Sequence, residues 1–251
     1  MNFSGKNILI TGAGRGLGAA FAIVLADLGA TLLLAGRIAD SLRALSEQIQ
    51  TRFGVPPETC VMDLTDLGQI SRLAKQWRDE GRKLDILINN GSGWLAGSVE
   101  EHDDHEIANL ITGNLTGTLL LTRGLLPLLR KSPYADIVNI IAISGMSHVP
   151  LQTASIAMVA SKAGQAAMTD GLRQELRGQS IRITALYPPY IRDISPLNDG
   201  DWNGERSQNS WVDNRDMVDA TIAALNRARH VTYQSVMLES DTSNFHFHTR
   251  M

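Results

Sequence analysis

Thr11-Gly12-Ala13-Gly14-Arg15-Gly16-Leu17-Gly18 decides the fold through what flanks it. Upstream, residues 7–10 form a short aliphatic run that reads as a strand, and downstream residues 17–28 carry a helical period that ends at Gly29. A strand that passes through a glycine-rich turn into a helix is the opening of a βαβ unit. Glycines permit the tight turn and let backbone N–H groups approach a phosphate, while the helix N-terminus adds partial positive charge. The glycines fall at Gly12, Gly16 and Gly18, a TGxxxGxG spacing distinct from GxGxxG because Leu17 occupies the last position of that pattern. In this context the loop reads as a seat for the diphosphate of a dinucleotide.

The alternation continues outward along the chain. Strands are expected at residues 31–35, 59–62, 85–89, 135–142, 181–186 and 231–238, and helices at 41–53, 67–80, 112–129, 155–177 and 214–228. Nearly pure aliphatic strands of this kind are buried on both faces, so the expectation is an α/β, doubly wound, parallel seven-stranded sheet in a single domain spanning residues 1–251. Residues 188–213 mix Pro, Gly, Asn, Asp and Ser with Trp202 and Trp211 and show no period. A loop of that length in a compact domain reads as a substrate or lid loop.

Composition narrows the function classes. The chain has 251 residues, 43% of them hydrophobic, enough for one sizeable core, and a net charge of -3 that offers no field for nucleic-acid phosphates. The single cysteine, Cys60, excludes an intramolecular disulfide and reads as a small buried hydrophobe. No apolar run is long enough to span a bilayer and no secretory signal is evident, so a cytoplasmic protein is expected.

The end of the second strand selects among dinucleotides. An acid there would bind a ribose 2′-hydroxyl, but the sequence is Leu34-Ala35-Gly36-Arg37. Gly36 removes a carboxylate that would repel a 2′-phosphate, and Arg37, with Arg15 in the glycine loop, can bind one bidentately. NADP(H) is therefore expected in preference to NAD(H).

These motifs together resemble the short-chain dehydrogenase/reductase family over residues 6–239. Thr11 to Gly18 matches its TGxxxGxG loop, Asp63-Leu64 its adenine-contacting segment, and Asn89-Asn90-Gly91 is similar to its NNAG segment, with Gly91 and Ser92 where Ala and Gly are usual. Asn114 matches the helix asparagine that helps hold a water and the active-site lysine. Val159-Ala160-Ser161-Lys162-Ala163-Gly164 matches the segment bearing that lysine, and Leu186-Tyr187-Pro188-Pro189 looks like the nicotinamide-binding turn with Pro189 in place of Gly. The resemblance implies oxidoreductase chemistry on a small carbonyl or alcohol. It also implies cofactor contacts from Gly12, Arg15, Gly16, Leu17, Gly18, Arg37, Asp63, Leu64, Asn90, Gly91, Lys162, Pro188 and Ile191, catalytic roles for Asn114 and Lys162, and a homodimer or homotetramer.

Two departures touch the chemistry. The family's proton-transferring tyrosine stands four residues before the lysine, and here that residue is Met158, which has no titratable proton. General acid–base assistance ordinarily contributes ~10²- to 10⁴-fold. The family's carbonyl-binding serine corresponds to Ala142, with Ser144 a shifted candidate. Ser155, one helical turn before Met158, and Tyr187, Tyr190 and His148 are weak substitutes. Two readings follow: a carbonyl reductase or alcohol dehydrogenase with an incomplete tetrad, and a catalytically inactive NADP(H)-binding protein acting as a redox sensor or partner subunit. The His102-Asp103-Asp104-His105 run reads as an acidic helix start, and His246 and His248 lie in a polar tail. Neither has metal-site spacing, and no metal is expected.

Overall fold

The computed structural model describes residues 2–147, 153–206 and 211–240. Its centre is one seven-stranded sheet in the order β3-β2-β1-β4-β5-β6-β7, every pairing parallel. The strands are β1 (Asn7–Thr11), β2 (Thr31–Gly36), β3 (Glu58–Val61), β4 (Ile86–Asn89), β5 (Ala135–Ile140), β6 (Ile181–Tyr187) and β7 (Ser235–Met237). The order reverses between β1 and β4, and the carboxyl ends of those two strands open the crevice where such sheets bind ligands.

Helices cover both faces. Phe21 of α1 (Gly16–Asp27), Ile49 of α2 (Ala39–Phe53) and Met217 of α8 (Asn214–Leu225) close one core over Ile10 and Leu34. On the other face, Trp77 of α3 (Leu67–Asp79), Leu121 of α5 (Thr118–Leu129) and Leu172 of α6 (Ile156–Glu175) pack on Leu9, Leu87 and Ile137. Adjacent strand residues thus feed opposite cores, which is why these strands are aliphatic throughout.

Several boundaries depart from the expected ones. The helix expected over residues 112–129 opens with a π-helical segment, Thr112–Gly117, whose last residue lies so close to the Leu64 carbonyl that a Cβ would sit 2.0 Å from its oxygen. The strand expected over 135–142 stops at Ile140, and Ile143–Gly145 turns as a short 3₁₀ helix, with Gly145 against the backbone of Lys162. The closing strand is shorter than the expected 231–238, and α8 ends at Leu225 rather than 228. Arg182 explains both: its guanidinium donates to the carbonyls of Leu225, Arg227 and Val231 and holds that stretch as a turn. A helix absent from the expected set, α4 (Asp104–Ile111), is started by Asp103, whose carboxylate accepts from the Glu106 N–H while Glu106 returns to the Asp103 N–H. Residues 188–213 hold one short helix, α7 (Asp199–Trp202), within otherwise irregular chain among the described residues.

Candidate functional site

The glycine loop is stitched to the end of β4 by backbone contact. The φ values of Gly12 and Gly16 are 64° and 55°, in the left-handed region that glycine alone enters without strain. A Cβ on Gly12 would meet Gly91 Cα at 2.7 Å, and one on Gly18 would sit 2.2 Å from the Gly12 carbonyl oxygen. Thr11 Oγ1 accepts from the N–H groups of Asn90 at 3.0 Å and Gly91 at 2.8 Å, and Asn90 Nδ2 donates to the carbonyls of Thr11 at 3.1 Å and Gly12 at 3.2 Å. Asn90 therefore holds the loop's shape through its side chain. Helix α1 begins at Gly16 with Arg15 as N-cap, and no side chain caps its first-turn N–H groups. Those donors are left for an anion.

A cavity of about 810 Å³ runs from this loop across the sheet's carboxyl edge. Leu17 and Gly18 join the loop residues in its wall, and Arg37 and Ser41 close it beyond β2. Asp63, Leu64 and Thr65 border it beyond β3, where Asp63 Oδ1 accepts from Thr65 N and Oγ1, both at 2.9 Å. Arg15 and Arg37 are exposed, and neither side chain forms a hydrogen bond or ion pair with another described residue. Both guanidinium groups border the cavity; the β2 end beside Arg37 carries no acid, while Arg15 acts on the Asp193 carboxylate.

At the other end, the cavity reaches Gly91, Trp94 and Asn114. The π-helical segment turns the Asn114 side chain inward, where it is fully buried. Its Oδ1 accepts from Gly93 N at 2.7 Å, and its Nδ2 donates to Ser161 Oγ at 3.1 Å and lies 3.6 Å from Met158 Sδ. Lys162 is 2% exposed and lies behind the cavity wall. Its Nζ donates to Ile140 O at 3.2 Å and to Gln165 Oε1 at 2.9 Å, and Gln165 Nε2 donates in turn to Asn114 O at 2.5 Å. Burial without a carboxylate partner lowers the Lys162 pKa to about 7. Gln165, three residues past Lys162 on the same helix, was not singled out from the sequence, although its helical spacing puts it beside the lysine.

Other expected residues have different surroundings. Pro188 and Ile191 do not line the cavity: Pro188 O accepts from Ile143 N at 3.0 Å, and Ile191 packs against the α1 core. Ala142 precedes the 3₁₀ turn, and Ser144 Oγ is buried there without a hydrogen-bond partner among the described residues. Ser155 is the N-cap of α6, accepting from Met158 N at 3.2 Å, so its hydroxyl is committed to the helix end. The Tyr187 phenol is buried, which pushes its pKa up, and Tyr190 is exposed, edge-on to Trp211. His102 approaches Ala96 O at 2.8 Å and His105 approaches Asn109 at 2.8 Å, which are local helix-end contacts. His148, His246 and His248 lie outside the described residues. Asp193, reached by a loop path that carries no motif, stands at the glycine loop unforeseen.

Comparison with known proteins agrees with this architecture. Residues 6–203 match the family model described as short chain dehydrogenase. An uncharacterized oxidoreductase of Staphylococcus saprophyticus is 29% identical over 231 residues, covering 92% of this chain and 95% of the relative. A metagenomic short-chain oxidoreductase, crystallised in complex with NADP, superposes with a TM-score of 0.76 at 27% identity, covering 94% of this chain and 97% of that one. A Beutenbergia cavernae protein described as a putative NAD(P)-dependent gluconate 5-dehydrogenase, with bound NADP, gives a TM-score of 0.81 at 25% identity, covering 95% and 97%. With its parallel sheet, its glycine loop and a model match over most of its length, this chain belongs to the short-chain dehydrogenase family.

Proposed function

We propose that the protein is an NADP(H)-binding oxidoreductase of the carbonyl reductase or alcohol dehydrogenase type with an incomplete catalytic tetrad. The observation that carries this is the exposed Arg37 guanidinium, without a hydrogen bond or ion pair to another described residue at the acid-free β2 end of the cavity, with Arg15 in the glycine loop. The donor set fits the cofactor. The uncapped first turn of α1 with Gly12, Gly16 and Gly18 suits a diphosphate, Arg37 and Arg15 suit a 2′-phosphate, and Asp63 with Leu64 borders the cavity where an adenine would lie. Bound, such a nucleotide would supply reversible two-electron transfer, to a small carbonyl from NADPH or from the corresponding alcohol to NADP+. The protein's own part is to hold the nucleotide, shape the floor at Gly93 through Asn114, and keep Lys162 in a dry seat formed by Ile140 and Gln165. Titration of the purified protein with NADPH and NADH, followed by nicotinamide fluorescence, should show tighter binding of NADPH. Equal affinity for the two, or none for either, would contradict the assignment.

Met158 favours a second reading, binding without turnover. Its thioether lies against Asn114 where a phenol would be needed to pass a proton, and Lys162 is buried outside the cavity lining. Met158→Tyr restores a titratable hydroxyl next to Asn114. On the first reading, NADPH consumption across a panel of ketones and aldehydes rises by about 10²-fold or more. No gain in that assay, with NADPH binding retained, supports the sensor or partner-subunit reading.

A further inference from the structure

Asp193 places a carboxylate on the glycine loop itself. Were Gly16 given a Cβ, it would lie 2.9 Å from Asp193 Oδ2 and 3.2 Å from Oδ1. The carboxylate therefore rests against the first residue of α1, beside the uncapped N–H groups that make this end of the helix an anion seat. It makes no hydrogen bond and no ion pair with another described residue, while it does line the cavity.

Its position is fixed from both sides. Arg192 N donates to Val212 O at 3.0 Å, and Asn214 N donates to Arg192 O at 3.0 Å, a parallel bridge to the start of α8. Ile194 is gripped by the Asn214 side chain, which accepts from Ile194 N at 3.2 Å and donates to Ile194 O at 2.8 Å. Behind the bridge, the fully buried Asp213 accepts from Arg206 Nε at 2.7 Å, lies 3.6 Å from Arg192 Nη2, and caps α8. Arg192 is thus turned toward Asp213, which leaves Arg15 as the cation that acts on Asp193. Burial against the loop pushes the Asp193 carboxyl up, and the Arg15 charge opposes that shift.

We infer that Asp193 is an affinity-setting residue, a fixed negative charge at the diphosphate seat that opposes dinucleotide binding and keeps the nucleotide readily exchangeable. This rests on the NADP(H) reading, since the seat it guards is the one assigned there. Two like charges held within a few ångström at the solvent-accessible rim of the cavity, where water screens them only in part, cost about tenfold in affinity. The charge acts on the diphosphate, which NADPH and NADH share, and not on the 2′-phosphate at Arg37.

The experiment is calorimetric titration of wild-type protein, Asp193→Asn and Asp193→Ala with NADPH, NADH and adenosine 2′-monophosphate. The expected result is a Kd about tenfold lower or better for both dinucleotides in both variants, with adenosine 2′-monophosphate unchanged. Binding of a dinucleotide by the variants alone also supports the inference. Dinucleotide affinity that is unchanged or weakened in Asp193→Asn overturns it and leaves the NADP(H) reading standing. A gain shared by adenosine 2′-monophosphate overturns it too, since the effect would then not be at the diphosphate. Failure of every dinucleotide to bind wild type and variants alike overturns the NADP(H) reading, and this inference with it.

Discussion

Lys162 shows what a single residue reveals and withholds. Its place in the Val159 to Gly164 segment was legible in the sequence, as was the loss of titratable chemistry at Met158, because both follow from residue type at fixed helical spacing. Its surroundings were not legible: nothing in the sequence says that Gln165 would take Nζ or that the lysine would be sealed off. The sealing has a measurable signature. The folded-state pKa, about 7, lies below the ordinary lysine value of 10.5. The unfolded chain therefore binds the extra proton between those limits, and stability rises with pH across that window, by on the order of 1 kcal/mol per pH unit at its steepest. Lys162→Met lacks this term. Thermal unfolding of both proteins from pH 6 to pH 10 should show the variant's relative stability highest at and below neutral pH and falling as the pH climbs. A difference independent of pH would mean that the ammonium is solvated.

At the scale of elements, the π-helical segment before α5 is the feature that builds the site. Periodicity over residues 112–129 announced a helix, but period alone cannot register a local change of helical pitch. Within that segment Gly117 lies against Leu64 O, and the same segment carries Asn114 into the core. Gly117→Ala should therefore cost about 2 kcal/mol or more and disturb the Asp63–Leu64 border of the cavity. In calorimetry that is a Tm about 5 °C lower. Gly171, mid-helix in α6 with nothing within 4 Å of a Cβ, is the control. Gly171→Ala should hold or raise Tm, since alanine is the better helix former by about 1 kcal/mol. Equal behaviour of the two variants would contradict the packing argument. The α4 start illustrates partial legibility: its acids were read as a helix start, yet the following residues were too few for the period to declare a helix.

At the scale of the whole molecule, the two ends of the sheet divide the work. At the amino ends of β5 and β6, Asp136 accepts from Arg182 Nε at 2.7 Å and from Arg229 Nη1 at 2.8 Å, and Arg182 ties the carbonyls after α8 to the same point. Removing one partner of so buried a set typically costs about 3–5 kcal/mol, so this end serves cohesion. The carboxyl ends carry the cavity. The parallel sheet, its strand count and the glycine loop at the β1–α1 turn were readable in advance, because aliphatic runs alternating with helical periods admit few topologies. The Asp193 strap was not readable, because its course depends on pairing between residues 192–194 and 212–214, an irregular stretch without period. The central claim is that this carboxyl edge holds NADP(H), with the 2′-phosphate at Arg37. A crystal structure of the protein saturated with NADPH tests it most directly. The account predicts density for the diphosphate over residues 12–18 and for the 2′-phosphate within hydrogen-bonding distance of the Arg37 or Arg15 guanidinium. A nucleotide seated elsewhere, or an empty cavity at saturating NADPH, would contradict it.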